Sequence, residues 1–280
     1  MPEKIIELLK AVLLGIIEGI TEWLPVSSTG HMILLDELLS LRVSEEFMEM
    51  FLVVIQLGAI LAVPLLFWGR LWPFSKKKSP EEKKSIYTLW LKVIVGVIPA
   101  GVLGVLLDDL FDSLFYNFVT VAITLVVYGV AFILVERRNR GREYRIESIW
   151  DLSFKDALVI GGFQCLSLIP GTSRSGSTIL GGMLTGVSRT AASEFSFYMA
   201  IPVMLAASGL KILKFVLGGF SATSSELLLL LVGCLVSFVV SILAIRFLME
   251  FVRRHEFTAF GVYRIVLGVI VLGYFLISLI

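Results

Sequence analysis

The chain has 280 residues, of which 57% are hydrophobic and 17% charged, with a formal net charge of +1 and a mean hydropathy of +0.93. This composition excludes an ordinary water-soluble domain, and the absence of a basic excess gives no case for nucleic-acid binding. Cys165 and Cys234 both lie in apolar sequence and read as small buried residues, suggesting neither a disulfide framework nor a zinc site. Glu3, Lys4, Glu7 and Lys10 interrupt the start of the chain, so no cleavable signal is expected.

Taken in chain order, the first apolar run, residues 8–24, is too short for a comfortable span and runs into Pro25 and a Ser/Thr/Gly cluster. A second short apolar arm follows, so residues 8–40 predict a hairpin that enters the membrane, breaks and returns to the same side. Three apolar segments at 47–68, 88–107 and 116–135 are long enough to cross a bilayer, which takes about 20 residues. Residues 155–187 repeat the broken pattern, with Pro170-Gly171 at the break. Three more spans follow at 191–214, 227–248 and 258–280. The expected architecture is an all-α polytopic membrane protein forming one domain over 1–280, with six transmembrane helices plus two re-entrant helical hairpins.

Loop charge orients this arrangement, because Lys and Arg accumulate in short cytoplasmic loops. Basic residues crowd three loops that the count of spans puts on one side: Arg70, Lys76 to Lys78, Lys83 and Lys84; Arg137 to Lys155; and Arg253 with Arg254. The other side receives Asp36, Glu37, Glu45, Glu46, Asp108, Asp109 and Asp112. Three spans separate the hairpins, so a repeated second half is inverted relative to the first. At an offset of 146, Gly15 matches Gly161, Glu18 faces Gln164, Ser27 matches Ser173, Thr29 faces Ser175, and Gly30, Ile33 and Leu34 match Gly176, Ile179 and Leu180. The repeats are expected at about 1–140 and 150–280, and inverted repeats place a site near the midplane where their broken elements meet.

The two breaks hold the chemistry. Glu18 and Glu22 are four residues apart on a helical segment, so both carboxylates lie on one face. Their repulsion can be relieved by a divalent ion, by a proton held on one of them, or by Arg174 across the cavity. After Pro25, Ser27 is a candidate nucleophile and His31, about a turn on, a candidate for taking its proton. The second break, Pro170-Gly171-Thr172-Ser173-Arg174-Ser175-Gly176-Ser177-Thr178, has the parts of a phosphate site: hydroxyls, a glycine turn, a helix N-terminus and an arginine for bidentate recognition. It is no Walker loop, since no Gly-Lys-Ser/Thr follows. Ionisable groups at membrane depth cost about 2.5–3.5 kcal/mol each on insertion scales and mark function when they persist. Arg264 and Glu194 rate as braces of the cavity, and His255 as a solvated loop residue.

With Glu18-x3-Glu22, Pro-Val-Ser-Ser-Thr-Gly-His at 25–31 and Pro-Gly-x-Ser-Arg-Ser-x3-Thr starting at Pro170, the sequence resembles the bacterial undecaprenyl-pyrophosphate phosphatases of the bacitracin-resistance type over nearly its whole length. The resemblance implies a multi-pass inner-membrane enzyme, active site open to the outer side, that removes one phosphate from a C55 isoprenoid diphosphate left by cell-wall synthesis. It implies dependence on a divalent cation, Mg2+ or Ca2+, for which Glu18 and Glu22 are the expected ligands. It also implies that Glu22, Ser27, His31 and Arg174 belong to the active site, with Glu18, Ser173 and Thr178 in support. Gly171, Thr172, Ser173, Arg174, Ser175 and Thr178 are expected to hold the diphosphate. Attack by Ser27 and attack by a metal-bound water both remain open. The expected partners are the isoprenoid lipid and membrane lipids, no nucleic acid, and room for a homodimer. A lipid-phosphate or anion transporter of the same inverted-repeat architecture is the alternative.

Overall fold

The structure, a computed structural model, describes residues 2–39, 41–115 and 117–278, without the side chains of residues 2, 33, 34, 36–38, 108, 109, 112, 276 and 278. The acidic positions Asp36, Glu37, Asp108, Asp109 and Asp112 and the repeat positions Ile33 and Leu34 therefore carry side chains outside the described residues. Among the described residues the chain is helical, with one isolated bridge between Ile146 and Val187.

The first hairpin comprises α1 (Pro2–Thr21) and α2 (Ser28–Leu39). It is followed by α3 (Glu45–Leu66), a single turn α4 (Trp68–Leu71), α5 (Pro80–Phe115) and α6 (Phe118–Asn139). The second hairpin comprises α7 (Phe154–Gln164) and α8 (Arg174–Leu184), and α9 (Arg189–Leu217), α10 (Ser224–Arg254) and α11 (Thr258–Ser278) complete the chain. Side chains that satisfy orphan amides set the starts. Ser44 caps α3, Asn117 caps α6 and Ser188 caps α9, while Ser153 with Asp156 and Thr223 with Glu226 form capping boxes on α7 and α10.

Six helices, α3, α5, α6, α9, α10 and α11, are long and apolar enough to cross a membrane. Large apolar side chains such as Leu61, Leu65, Leu91, Val105, Leu106, Leu235, Leu243 and Val269 lie exposed along them, a surface suited to lipid and not to water. The chain is thus a multi-pass membrane protein. Several boundaries differ from expectation, most of all at α5, which spans Pro80–Phe115 in place of 88–107. α5 starts eight residues earlier, because Ser79 accepts from the Glu82 amide at 3.2 Å while Glu82 accepts from the Ser79 amide at 2.7 Å, with Pro80 at the first helical position. α1 extends back to Pro2, and Glu7 holds its first turns by accepting from the Arg42 amide at 2.9 Å.

The basic loops gather at one end of the bundle, where Arg140 pairs with Glu256 at 3.1 Å, Arg189 with the buried Glu136 at 2.5 Å, and Asn139 donates to Met183 O. At the opposite end Arg42 pairs with Glu3, and Phe47 meets Phe215 edge-on. The base of the first hairpin lies at this second end and that of the second at the basic end, where Arg145 and Asp156 form an ion pair. The helices pack reciprocally: α1 lies on α10 and α7 on α5, while α6 lies on α11 and α3 on α9. Gly15 and Gly161, the matched pair, each face a helix backbone, since an added Cβ would sit 2.7 Å from Gly233 O and 2.0 Å from Gly96 O. Such close approach by small residues is how helices associate in lipid.

Candidate active site

At the first break the helical bonding runs one residue past α1, with the Glu22 amide donating to Glu18 O at 3.0 Å, so the two glutamates keep the expected i,i+4 register. Pro25 ends the run. Ser27 takes a φ of 74°, a left-handed conformation costly for a residue with a Cβ, and α2 begins at the next residue. The turn folds the Ser27 hydroxyl back on α2, where it accepts from the Gly30 amide at 3.2 Å. Ser28 is consequently the serine that faces the carboxylate: its Oγ donates to Glu22 Oε2 at 2.9 Å.

The second break is built alike. Ser173 has a φ of 73° and its hydroxyl accepts from the Gly176 amide at 3.1 Å, capping α8. Gly171, φ 84°, lies where a Cβ would meet Thr124 Oγ1 at 2.2 Å, and that hydroxyl donates to Pro170 O, seating the tip on α6. Thr178 donates to Arg174 O at 2.9 Å and bonds the Ser196 hydroxyl of α9 at 2.7 Å, while the buried Thr172 adds its carbonyl to the tip.

The two tips touch. Arg174, the first residue of α8, reaches Glu22 Oε1 through Nη2 at 3.1 Å and Nε at 3.3 Å, and gives Nη1 to Ser196 O at 2.8 Å. Ser175 donates to Glu22 O at 3.0 Å, so α8 also grips the backbone of the first tip. One carboxylate is thereby held by the first residues of two helices, Ser28 of α2 and Arg174 of α8. Glu18 lies beside it, 1% exposed, its carboxyl facing that of Glu22 and its Oε1 meeting no hydrogen-bond donor. Arg264 of α11, fully buried, closes the cluster from behind. It donates to Pro25 O on one tip and to Gly171 O and Thr172 O on the other.

The structure thus brings Glu18, Glu22, Arg174, Ser173, Ser175 and Thr178 together. It does not place His31 against the Ser27 hydroxyl. His31 Nδ1 lies 2.7 Å from the carbonyl oxygen of Ser27, because the positive φ at Ser27 points its hydroxyl into α2, and Nε2 lies 2.7 Å from Tyr263 Oη. Glu194 is also elsewhere: it pairs with Arg70 at 2.5 Å and accepts from Tyr198 at the basic end, beside a cavity of about 560 Å³ that includes no tip residue. Cys165 and Cys234 are free and half-buried. Sequence reasoning missed Ser28 and Ser196; the only signal for Ser28 was its place beside Ser27 in the Pro-Val-Ser-Ser run.

No cluster of three or more His, Cys, Asp or Glu side chains occurs among the described residues. The donor set that does occur, two adjacent carboxylates of which one has a buried oxygen without a donor, suits a hard divalent ion that completes its shell with substrate oxygens and water.

A family profile described as bacitracin resistance protein BacA matches residues 11–270. An undecaprenyl-diphosphatase of Acetivibrio thermocellus is 56% identical over 271 residues, covering 97% of this chain and 98% of its own. Proteins of the same name from Enterococcus faecalis and Desulfitobacterium hafniense are 55% identical over 269 residues and 54% identical over 272, each covering at least 96% of both chains. The motifs, the six spans and these matches over almost the full length agree, and the chain belongs to the bacitracin resistance protein BacA family.

Proposed function

We propose that this chain hydrolyses undecaprenyl diphosphate to undecaprenyl phosphate and inorganic phosphate in a bacterial plasma membrane. The relatives' shared name supports the reaction and disfavours the transporter. One structural observation carries the reading: the Glu22 carboxylate lies between the N-termini of α2 and α8, held by Ser28 and Arg174. Helix N-termini, a hydroxyl and an arginine are what an anionic phosphate needs. The Glu22 carboxylate lies where such a phosphate would bind.

The terminal phosphate of the diphosphate displaces Glu22 from Arg174, with Ser173 and Ser175 at the rim of the turn. Glu18 and Glu22 would be the residues to hold Mg2+ or Ca2+, which would neutralise charge on the phosphoryl oxygens. Ser28 Oγ is assigned the attack: its proton passes to Glu22 Oε2, to which it already donates, its bond to phosphorus forms as the bridging P–O bond breaks, the electron pair leaves on undecaprenyl phosphate, and water later releases inorganic phosphate. Positioning and charge neutralisation are most of what phosphoryl transfer asks of a protein. Direct attack by water, with Ser28 only a phosphate contact, is the second route; a phosphoserine trapped at Ser28 separates the two. Arg264 holds both tips in register without touching the phosphate.

The hairpins enter the bilayer from opposite faces, a reading supported by tips that meet while their bases lie at opposite ends of the bundle. The basic end is cytoplasmic by the loop-charge rule, so the first hairpin and its carboxylates open to the outer side. The test is phosphate release by purified protein in detergent from undecaprenyl diphosphate with Mg2+ or Ca2+. Release that a chelator abolishes is the expected result, and no release under either metal overturns the reading.

A further inference from the structure

His31 has both ring nitrogens engaged, and the chemistry of the two partners fixes where its proton sits. The partner of Nδ1, 2.7 Å away, is the carbonyl oxygen of Ser27, which can only accept. Nδ1 therefore carries a hydrogen in every protonation state of the ring. In the neutral ring the lone pair is on Nε2, and the group 2.7 Å from it is the hydroxyl of Tyr263, which donates. The two rings lie parallel within 6°, centroids 5.7 Å apart, so Tyr263 also sets the plane of the imidazole.

Tyr263 is held to this task by its neighbour. Arg264 anchors α11 through three hydrogen bonds to the carbonyls of both tips. Consecutive helical residues point about 100° apart. While Arg264 turns into the junction, Tyr263 lies to one side of it, half-exposed, with its hydroxyl at α2. A tyrosine packed only for its ring would not need this alignment.

We infer that Tyr263 is a positioning residue for the reaction, holding His31 as the Nδ1–H tautomer with Nε2 as its basic atom. This rests on the phosphatase reading and deepens it. When the ring takes up a proton at Nε2 during the reaction, the new Nε2–H donates to Tyr263 Oη. Tyr263 can thus partner His31 both before and after the transfer, by reversing which of the two donates.

His31 and His255 are the only histidines in the chain, so ring-15N histidine in a His255→Gln background reports on His31 alone. The expected spectrum of the neutral ring has a protonated Nδ1 and a hydrogen-bonded, unprotonated Nε2. Tyr263→Phe should move the Nε2 signal toward that of an unbonded nitrogen and lower kcat about 10- to 100-fold, the usual cost of losing a group that orients a functional histidine, with KM changed less than twofold. An Nε2–H tautomer in the parent protein overturns the inference. So does Tyr263→Phe with an unchanged 15N spectrum, whatever its kcat. Phosphate release missing from the parent protein would defeat the phosphatase reading alone, since the 15N comparison needs no turnover.

Discussion

Removing Arg174 strips three donors from the junction of the tips at once. Its guanidinium gives Nη2 and Nε to one oxygen of Glu22 and Nη1 to Ser196 O, and the two charged side chains are only 10% and 6% exposed. Water screens such a pair little. Arg174→Ala leaves Glu22 Oε1 buried without a donor and next to the Glu18 carboxyl, and breaking a buried pair from one side costs about 3–5 kcal/mol. Glu22→Ala leaves an unpaired guanidinium, which keeps Ser196, so its cost falls at the lower end of that range. Removing both partners removes the orphan charge as well, and the double variant should be more stable than the sum of the single losses by about 1–3 kcal/mol. Reversible unfolding by denaturing detergent in mixed micelles, run on all four proteins, measures this coupling. Arg174→Ala within about 0.5 kcal/mol of the parent, or strictly additive losses, would refute the claim that this pair ties the hairpins together.

Gly161→Ala should be severely destabilising, by more than the roughly 1–3 kcal/mol usual for overpacking, because its Cβ would lie 2.0 Å from Gly96 O with no flexible side chain to give way; the same unfolding assay checks it, with Gly162→Ala, which meets open space, as control. Glu136→Ala should cost about 3–5 kcal/mol, because the fully buried carboxylate accepts from Arg189 and from the Phe257 amide, and its loss strands both. In a cysteine-free background, Lys77→Cys should label only from the cytoplasmic side and Ser221→Cys only from outside; the reverse pattern would invert the orientation assigned from loop charge.

Much of the fold was legible because lipid imposes a simple rule: spans must be apolar and about 20 residues long, and departures stand out. Glu18, Glu22 and Arg174 stood out in this way, and the structure brings them into one cluster. What stayed hidden depended on backbone geometry. The choice between Ser27 and Ser28 turns on a single positive φ, which no residue pattern marks when the residue is serine. Arg264 bonds only main-chain carbonyls at Pro25, Gly171 and Thr172, so its role could be framed only as a brace. Glu194 was framed, with Arg264, as a brace of the cavity, but its partners Arg70 and Tyr198 sit at the basic end. The early start of α5 followed from Ser79, Pro80 and Glu82, a start signal that the hydropathy reading of a charged loop passed over.

The central claim is that the junction of the two tips is where the phosphate is cleaved. Arg174→Lys keeps the charge but not the forked donor geometry, and Glu22→Gln keeps the shape but not the charge. Phosphate release from undecaprenyl diphosphate should fall about 10²- to 10³-fold in each, as when one donor to a developing charge is lost, in proteins whose unfolding shows them intact. Folded Arg174→Lys and Glu22→Gln proteins that release phosphate at the parent rate would contradict the account.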